Sequence, residues 1–242
     1  MNDLRDEAVV LRAYRSGEAD RVVVLWTRDH GKVRAIAKGV RKPTTKIGGG
    51  IEPLAHVRIF LASGRGELKI VRQVEQVRRY AHVHAEYERL TAGMAILEAV
   101  DAMPAEDIAD EAVFELLVRT LATLDDVTYP PTLVPAAFYL RLLAHDGSAP
   151  VLDECAHCGS PGPLVAFDAA VGGALCASCR SGRSVTPEAL GLLQRVCGGD
   201  LGGVLREPGA PGAGEVIVLA QEALERHFGK RLRVPRATAH LS

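Results

Sequence analysis

The sequence predicts an α+β fold: a small β-barrel first, then a helical domain, with a compact four-cysteine unit inserted among the helices. Three observations carry this reading. Residues 1–80 alternate short Val- and Leu-rich runs with turn residues, the apolar period lengthens to three and four residues beyond Ala85, and two Cys-x2-Cys pairs follow the third helical stretch.

The strands come first. Ala8–Leu11 and Arg21–Trp26 are separated by the turn residues Glu18-Ala19-Asp20, and Asp29-His30-Gly31 connects tightly into 32–38. Residues 55–61 and 67–74 form a further pair joined by Ser63-Gly64-Arg65-Gly66. A lone sheet of this size would leave two bare edges, and closure into a five-stranded OB-like barrel over residues 1–80 removes them.

The helical domain, residues 81–242, begins where the period changes. Tyr87, Leu90, Met94 and Leu97 recur at helical steps, as do Val113, Leu117, Leu121 and Leu124, and then Leu133, Ala137, Leu140 and Ala144. Pro104 and Tyr129-Pro130-Pro131 mark the breaks, and Asp146-Gly147 ends the third stretch. Thr186-Pro187-Glu188 reads as a capped helix start, and 215–228 as the last helix, closed by Gly229. Residues 198–214, rich in Gly and Pro, read as a flexible loop.

Net charge is −1 over 242 residues, but it is unevenly spread. Residues 1–80 hold 17 Lys/Arg against 9 Asp/Glu, whereas residues 81–150 hold 3 against 12. The first third is suited to a polyanion and the middle third to protein partners. No run approaches the roughly 20 apolar residues that cross a bilayer. The N-terminal residues lack the cationic and apolar regions of a signal peptide, so the expected compartment is the cytoplasm.

The cysteines are the strongest local signal. Cys155 and Cys158, then Cys176 and Cys179, form two Cys-x2-Cys turns with 17 residues between them. Each turn can aim two thiolates at one point, and such an excursion brings the second turn beside the first, which is the pattern of a tetrahedral Zn²⁺ site. One structural Zn²⁺ in a finger spanning residues 153–182 is expected; four thiolates leave no open position for catalysis. Paired disulfides or a redox dithiol are the competing readings, and both suit a reducing compartment or a doubled motif less well. Cys197 stands outside the pattern and reads as a buried core residue.

The basic segment is the second signal. Between Arg28 and Lys46 lie seven cations and one acid. Strand alternation puts Lys32, Arg34 and Lys38 on one face with Val33, Ala35 and Ala37 toward the core, and Arg41, Lys42 and Lys46 continue into a Gly-rich loop. With Arg65 and Lys69, and with Arg58 and Arg72 nearby, these residues are the candidate contacts to a phosphodiester backbone. Phe60 reads either as core or as a base-stacking ring. No nucleotide-binding glycine motif, zinc-protease motif or nucleophile elbow is present, so no catalytic residue is assigned. A zinc-ribbon adaptor binding other proteins, and an enzyme on nucleic acid with dispersed catalytic residues, are the rival classes.

Several stretches resemble the RecO family of bacterial DNA repair proteins. Gly17-Glu-Ala-Asp-Arg-Val-Val, Thr27-Arg-Asp-His-Gly-Lys and Ala37-Lys-Gly-Val-Arg-Lys, with Leu54 and Phe60 after them, are similar to that family's N-terminal region. Leu224-Glu-Arg-His-Phe-Gly-Lys-Arg-Leu-Arg resembles its C-terminal helix and tail, and the order of parts is alike over nearly the whole chain. The chain departs from the family in Pro43-Thr-Thr-Lys-Ile-Gly-Gly-Gly, where Arg/Ser-rich loops are usual, and in Leu54, where an aromatic usually follows the proline. The resemblance implies a recombination mediator that hydrolyses no nucleotide. Such a protein binds single- and double-stranded DNA and anneals complementary strands. It works with RecR, and sometimes RecF, to load RecA onto gaps coated with single-strand-binding protein. It also implies an apolar groove edged by cations for the acidic tail of single-strand-binding protein, for which Arg89, Arg119 and Arg141 are available, supplemented by Arg231 or Arg233.

Overall fold

The computed structural model describes residues 3–40, 50–64, 68–104 and 108–233. Five strands, β1 (Leu4–Ser16), β2 (Asp20–Thr27), β3 (Gly31–Ala37), β4 (His56–Ala62) and β5 (Lys69–Arg78), close into a barrel in the order β1-β2-β3-β5-β4. All neighbours are antiparallel except β3 and β5. Closure leaves no edge to aggregate, as the sequence pattern required. The interior is filled by small and branched side chains, among them Val10, Val23, Leu25, Val33, Ala35, Val57, Ile59 and Leu61, all buried.

Part of the other face of β1 and β2 is buried as well. Val9, Leu11, Val24 and Trp26 belong to one continuous core with the helices, so the barrel wall doubles as a floor for the helical part. β1 serves both cores through a bulge between Val10 and Arg12, where the register against β2 slips. An extra residue on one strand breaks strict alternation, so Val10 turns inward while Leu11 and Arg12 both serve the outer side.

The helical part comprises α1 (Ala81–Ala85), α2 (Tyr87–Ala102), α3 (Glu111–Asp125), α4 (Val134–His145), α5 (Pro187–Cys197), α6 (Leu201–Val204) and α7 (Ala213–Phe228). α4 is the central helix, buried at nearly every position from Val134 to Leu143. Asp110 caps α3 through the Val113 amide, and Thr186 caps α5 through the Ala189 amide, with Pro187 in the first turn. α7 ends at Gly229 with φ 65°, the left-handed stop expected from its sequence.

Four expectations are corrected here. The stripe through Tyr87 is only part of the inner face of α2: Leu97 is buried and Leu90 and Met94 pack half-buried against the core, but Tyr87 is 82% exposed, and the helix also buries Ala92, Gly93, Ile96 and Ala99. Small residues let α2 approach the barrel closely, and an added Cβ at Gly93 would stand 3.0 Å from Leu54. Residues 198–214 are not one loop, because α6 and the start of α7 lie within them and Arg195 pairs with Asp200 and Glu207 across the turn. Cys197 is exposed, since it falls at the last residue of α5 beyond the inward Val196. Arg89 is buried rather than available at a surface: its Nη1 donates to the carbonyls of Leu124, Asp126 and Tyr129 at 2.7, 3.2 and 3.1 Å. Leu124 is in the last turn of α3, where helix geometry leaves acceptors without intrahelical partners, and Asp126 and Tyr129 belong to the turn that follows.

Candidate nucleic-acid interface and metal centre

β3 carries the central cations, and its two ends meet different surroundings. Arg34 is exposed on the outer side of the barrel and Lys38 in the turn after β3, and the Arg34 guanidinium donates to the Tyr14 hydroxyl at 3.1 Å. Lys69 opens β5, half-buried, opposite Ala35 in the parallel pair. Lys69 therefore leaves β5 on the side of the inward Ala35 and Val71, opposite to the outward Arg34, so the strand order does not bring it onto the same face. Arg41, Lys42, Lys46 and Arg65 lie outside the described residues.

Lys32 is the correction. It shares the outer face with Arg34, as alternation required, but that end of the face is covered by the last turn of α2. Its ammonium is buried and donates to the carbonyls of Asp101 and Met103 at 2.8 and 2.7 Å, so it joins barrel to helix and offers nothing to a phosphate. Arg12, at the border, pairs with Asp101 at 3.0 Å. Arg28 is likewise engaged, bonded to Glu111 and Glu115 and laid over the Phe114 ring. Phe60 is half-buried on the opposite wall with the Arg5 guanidinium 5.0 Å above its ring.

Beneath the Arg28 cluster, Glu7, His56 and Tyr80 form a buried polar chain between barrel and helices. His56 Nε2 lies 2.6 Å from Glu7 Oε1 and Nδ1 lies 3.5 Å from the Tyr80 hydroxyl. A carboxylate can only accept, so the neutral ring donates from Nε2 and receives the Tyr80 proton on Nδ1. Burial pushes Tyr80 up to about 12 and lowers His56 below its ordinary value, the latter against the opposing pull of Glu7. Sequence reading missed this chain, because its members are 49 and 24 residues apart.

The four cysteines converge. The Sγ atoms of Cys155, Cys158, Cys176 and Cys179 all lie within 4.8 Å of one another. Thiolates at a Zn–S distance of roughly 2.3 Å stand about 3.8 Å apart at the corners of a tetrahedron, and Cys158 and Cys176 are separated by 3.8 Å. Gly159, at φ 72°, turns the first knuckle. The hairpin β6 (Leu164–Asp168) and β7 (Gly173–Cys176), with β8 (Arg183–Ser184), returns the chain to the second. The amide of Cys176 does most to bring Cys155 down to about 6, with those of Cys158 and His157 adding to it. Neighbouring thiols, Cys158 first, push Cys179 up to about 12. So crowded a set cannot ionise fully by itself, and a divalent cation at its centre removes the conflict. The donor set and spacing fit a metal ion, and soft sulfur ligands fit zinc.

A groove of about 520 Å³ runs between α3, α4 and the α6 segment. Leu116, Phe138, Leu201 and Leu205 line it, with Arg119 and Arg141 alongside. Arg119 is 79% exposed and holds Glu115 only at 3.6 Å. Among the described residues, no helix is long and apolar enough to cross a membrane.

Two family models together cover nearly the whole chain. Residues 1–80 match the model described as Recombination protein O N terminal, and residues 84–234 match Recombination protein O C terminal.

Proposed function

This chain belongs to the Recombination protein O family, and on that premise we propose that it binds single- and double-stranded DNA, anneals complementary strands and helps RecR load RecA. The family serves DNA repair and recombination as mediators and is not a catalytic class. The substrate of loading is a gap coated with single-strand-binding protein, and RecF is a further partner in the same cytoplasmic, nucleoid-associated work. Residues 1–80 act as the DNA-binding barrel and residues 81–242 as the helical domain.

One observation supports this reading above the others: a closed OB-like barrel with Arg34 exposed on its outer wall and Lys38 exposed in the turn after β3, in a chain matched by both halves of the family. Arg34, Lys38, Arg41, Lys42, Lys46, Arg65 and Lys69 contact phosphates, which carry affinity but no sequence information. Cys155, Cys158, Cys176 and Cys179 hold one structural Zn²⁺, which shapes the finger and performs no chemistry. The groove beside Arg119 and Arg141 takes the acidic, apolar tail of single-strand-binding protein, with cations for its carboxylates and leucines for its side chains.

The test is strand annealing on DNA coated with single-strand-binding protein, with and without RecR. Annealing that rises with RecR is expected; absence of both annealing and DNA binding would leave the adaptor class in its place. A labelled tail peptide in fluorescence anisotropy tests the groove, and Arg141→Ala should weaken it about tenfold, the worth of a charge-assisted hydrogen bond.

A further inference from the structure

We infer that Tyr14 is a stacking platform for an unpaired nucleobase, at the part of the barrel face that the helices leave open. The inference rests on the DNA-binding reading above and assigns to it a contact of a different kind, to bases rather than phosphates.

OB-type barrels bind oligonucleotides across the outer face of β2 and β3, with the β1–β2 and β4–β5 loops on either side. Half of that face is lost here. Trp26 and Lys32, opposite each other in the register, are buried under α2. The other half is a row read directly from the pairings: Tyr14 opposite Val22, Val22 opposite Ile36, Ile36 opposite Ile70. All four point outward, since their neighbours Ala13, Val23, Ala35 and Val71 belong to the barrel interior. The row is apolar: Tyr14 at its end is 42% exposed, Ile36 and Ile70 are half-buried, and Val22, between Tyr14 and Ile36, is buried.

The bulge in β1 makes this possible. Val10 faces the interior, and strict alternation would send Tyr14 inward with it; the extra residue at Leu11 reverses the parity. An exposed aromatic ring on a sheet is then set beside cations. Arg34 lies two residues from Ile36 on the same side of β3 and holds the Tyr14 hydroxyl at 3.1 Å, and Lys38 is exposed in the turn directly after the strand. A planar apolar surface edged by two cations fits a ligand with an apolar planar group and a negative charge on each unit. A single DNA strand meets that description. In a duplex the bases are stacked on one another and cannot reach the ring, so the platform serves single strands alone.

Three variants test this in the full-length, metal-loaded protein, with oligo-deoxythymidine and a duplex of equal length as probes. Tyr14→Ala should lower affinity for the oligonucleotide about 5- to 150-fold, the range found for loss of one base–aromatic stack. Duplex affinity and the salt slope on either probe should not change, because no phosphate contact is lost. Tyr14→Phe should retain affinity, since the ring and not the hydroxyl makes the stack. Tyr14→Trp should lose emission when oligo-deoxythymidine is added and keep it with an abasic strand of equal length, over a constant signal from buried Trp26. Lys38→Ala should behave oppositely, weakening both probes and flattening both salt slopes. If Tyr14→Ala binds oligo-deoxythymidine as the parent does, or loses single strand and duplex equally, the platform is wrong while DNA binding stands. If the parent protein binds neither probe, the DNA-binding reading itself falls.

Discussion

Lys32 on β3 donates to the main-chain oxygen of Met103, 71 residues later, at 2.7 Å, and this bond seals the C-terminal end of α2 against the barrel. The last carbonyls of a helix have no partner within it, and they carry its negative end. The lysine therefore supplies both the missing hydrogen bonds and an opposite charge. Lys32→Met should keep the stem and lose the charged donor, reducing unfolding free energy by about 1.5–3 kcal/mol. Urea denaturation checks this, with an unchanged slope. DNA affinity should be unaltered, because the ammonium is not at the surface.

His56 makes stability depend on pH in the mildly acidic range. Its folded pKa lies below the ordinary 6.5, chiefly because burial disfavours the charged ring. The unfolded chain therefore binds the proton first as pH falls, and folding stability declines from 6.5 down to the lower folded value. His56→Gln keeps a side chain able to face Glu7 and should flatten this part of the stability–pH curve. Urea midpoints at a series of pH values for parent and variant give the difference; curves that stay parallel would reject the assignment.

The finger should depend on its metal. Structural zinc contributes apparent energies of about 10–16 kcal/mol in isolated fingers, so Cys158→Ser or a strong chelator should unfold residues 153–182. Elemental analysis should give one zinc per chain in the parent protein. Because Phe167 of the finger hairpin is packed into the main helical core, loss of the metal should also lower the thermal midpoint of the whole protein.

The proposed phosphate contacts of Lys38, Arg41 and Lys42 should set the salt dependence of DNA binding. Each phosphate contact contributes about −0.7 to the log–log salt slope on single strands and about −0.9 on duplex. Replacing Lys38, Arg41 and Lys42 together by Ala should flatten the single-strand slope by about 2 units, with little dependence on base sequence. Annealing should fall in step, and zinc content should stay at its parent value. Unchanged affinity and slope would remove this segment as the DNA site and favour a protein-binding role for it.

Much of this molecule is legible in the chain because the relevant physics is local. Turn residues and alternating Val and Leu specify the five strands, and Thr186-Pro187 and Gly229 specify helix ends within one turn of themselves. The cysteine site is legible for the same reason: two tight knuckles and one hairpin, all within residues 155–179, bring the four thiols together. Spacing alone therefore predicts the donor set.

The fate of individual charged and aromatic side chains was decided elsewhere. By sequence alone Lys32 and Arg34 are equivalent outward cations, yet α2 covers the first and leaves the second exposed. Arg89 has the pattern of a surface cation until the end of α3 arrives from 35 residues away. Tyr14 faces outward only because one bulge shifts the parity of β1. Burial is a property of what packs against a residue, and those partners come from distant parts of the chain. Periodicity along the sequence predicts which way a side chain points, while the tertiary structure alone determines whether water, a carbonyl or DNA can meet it there.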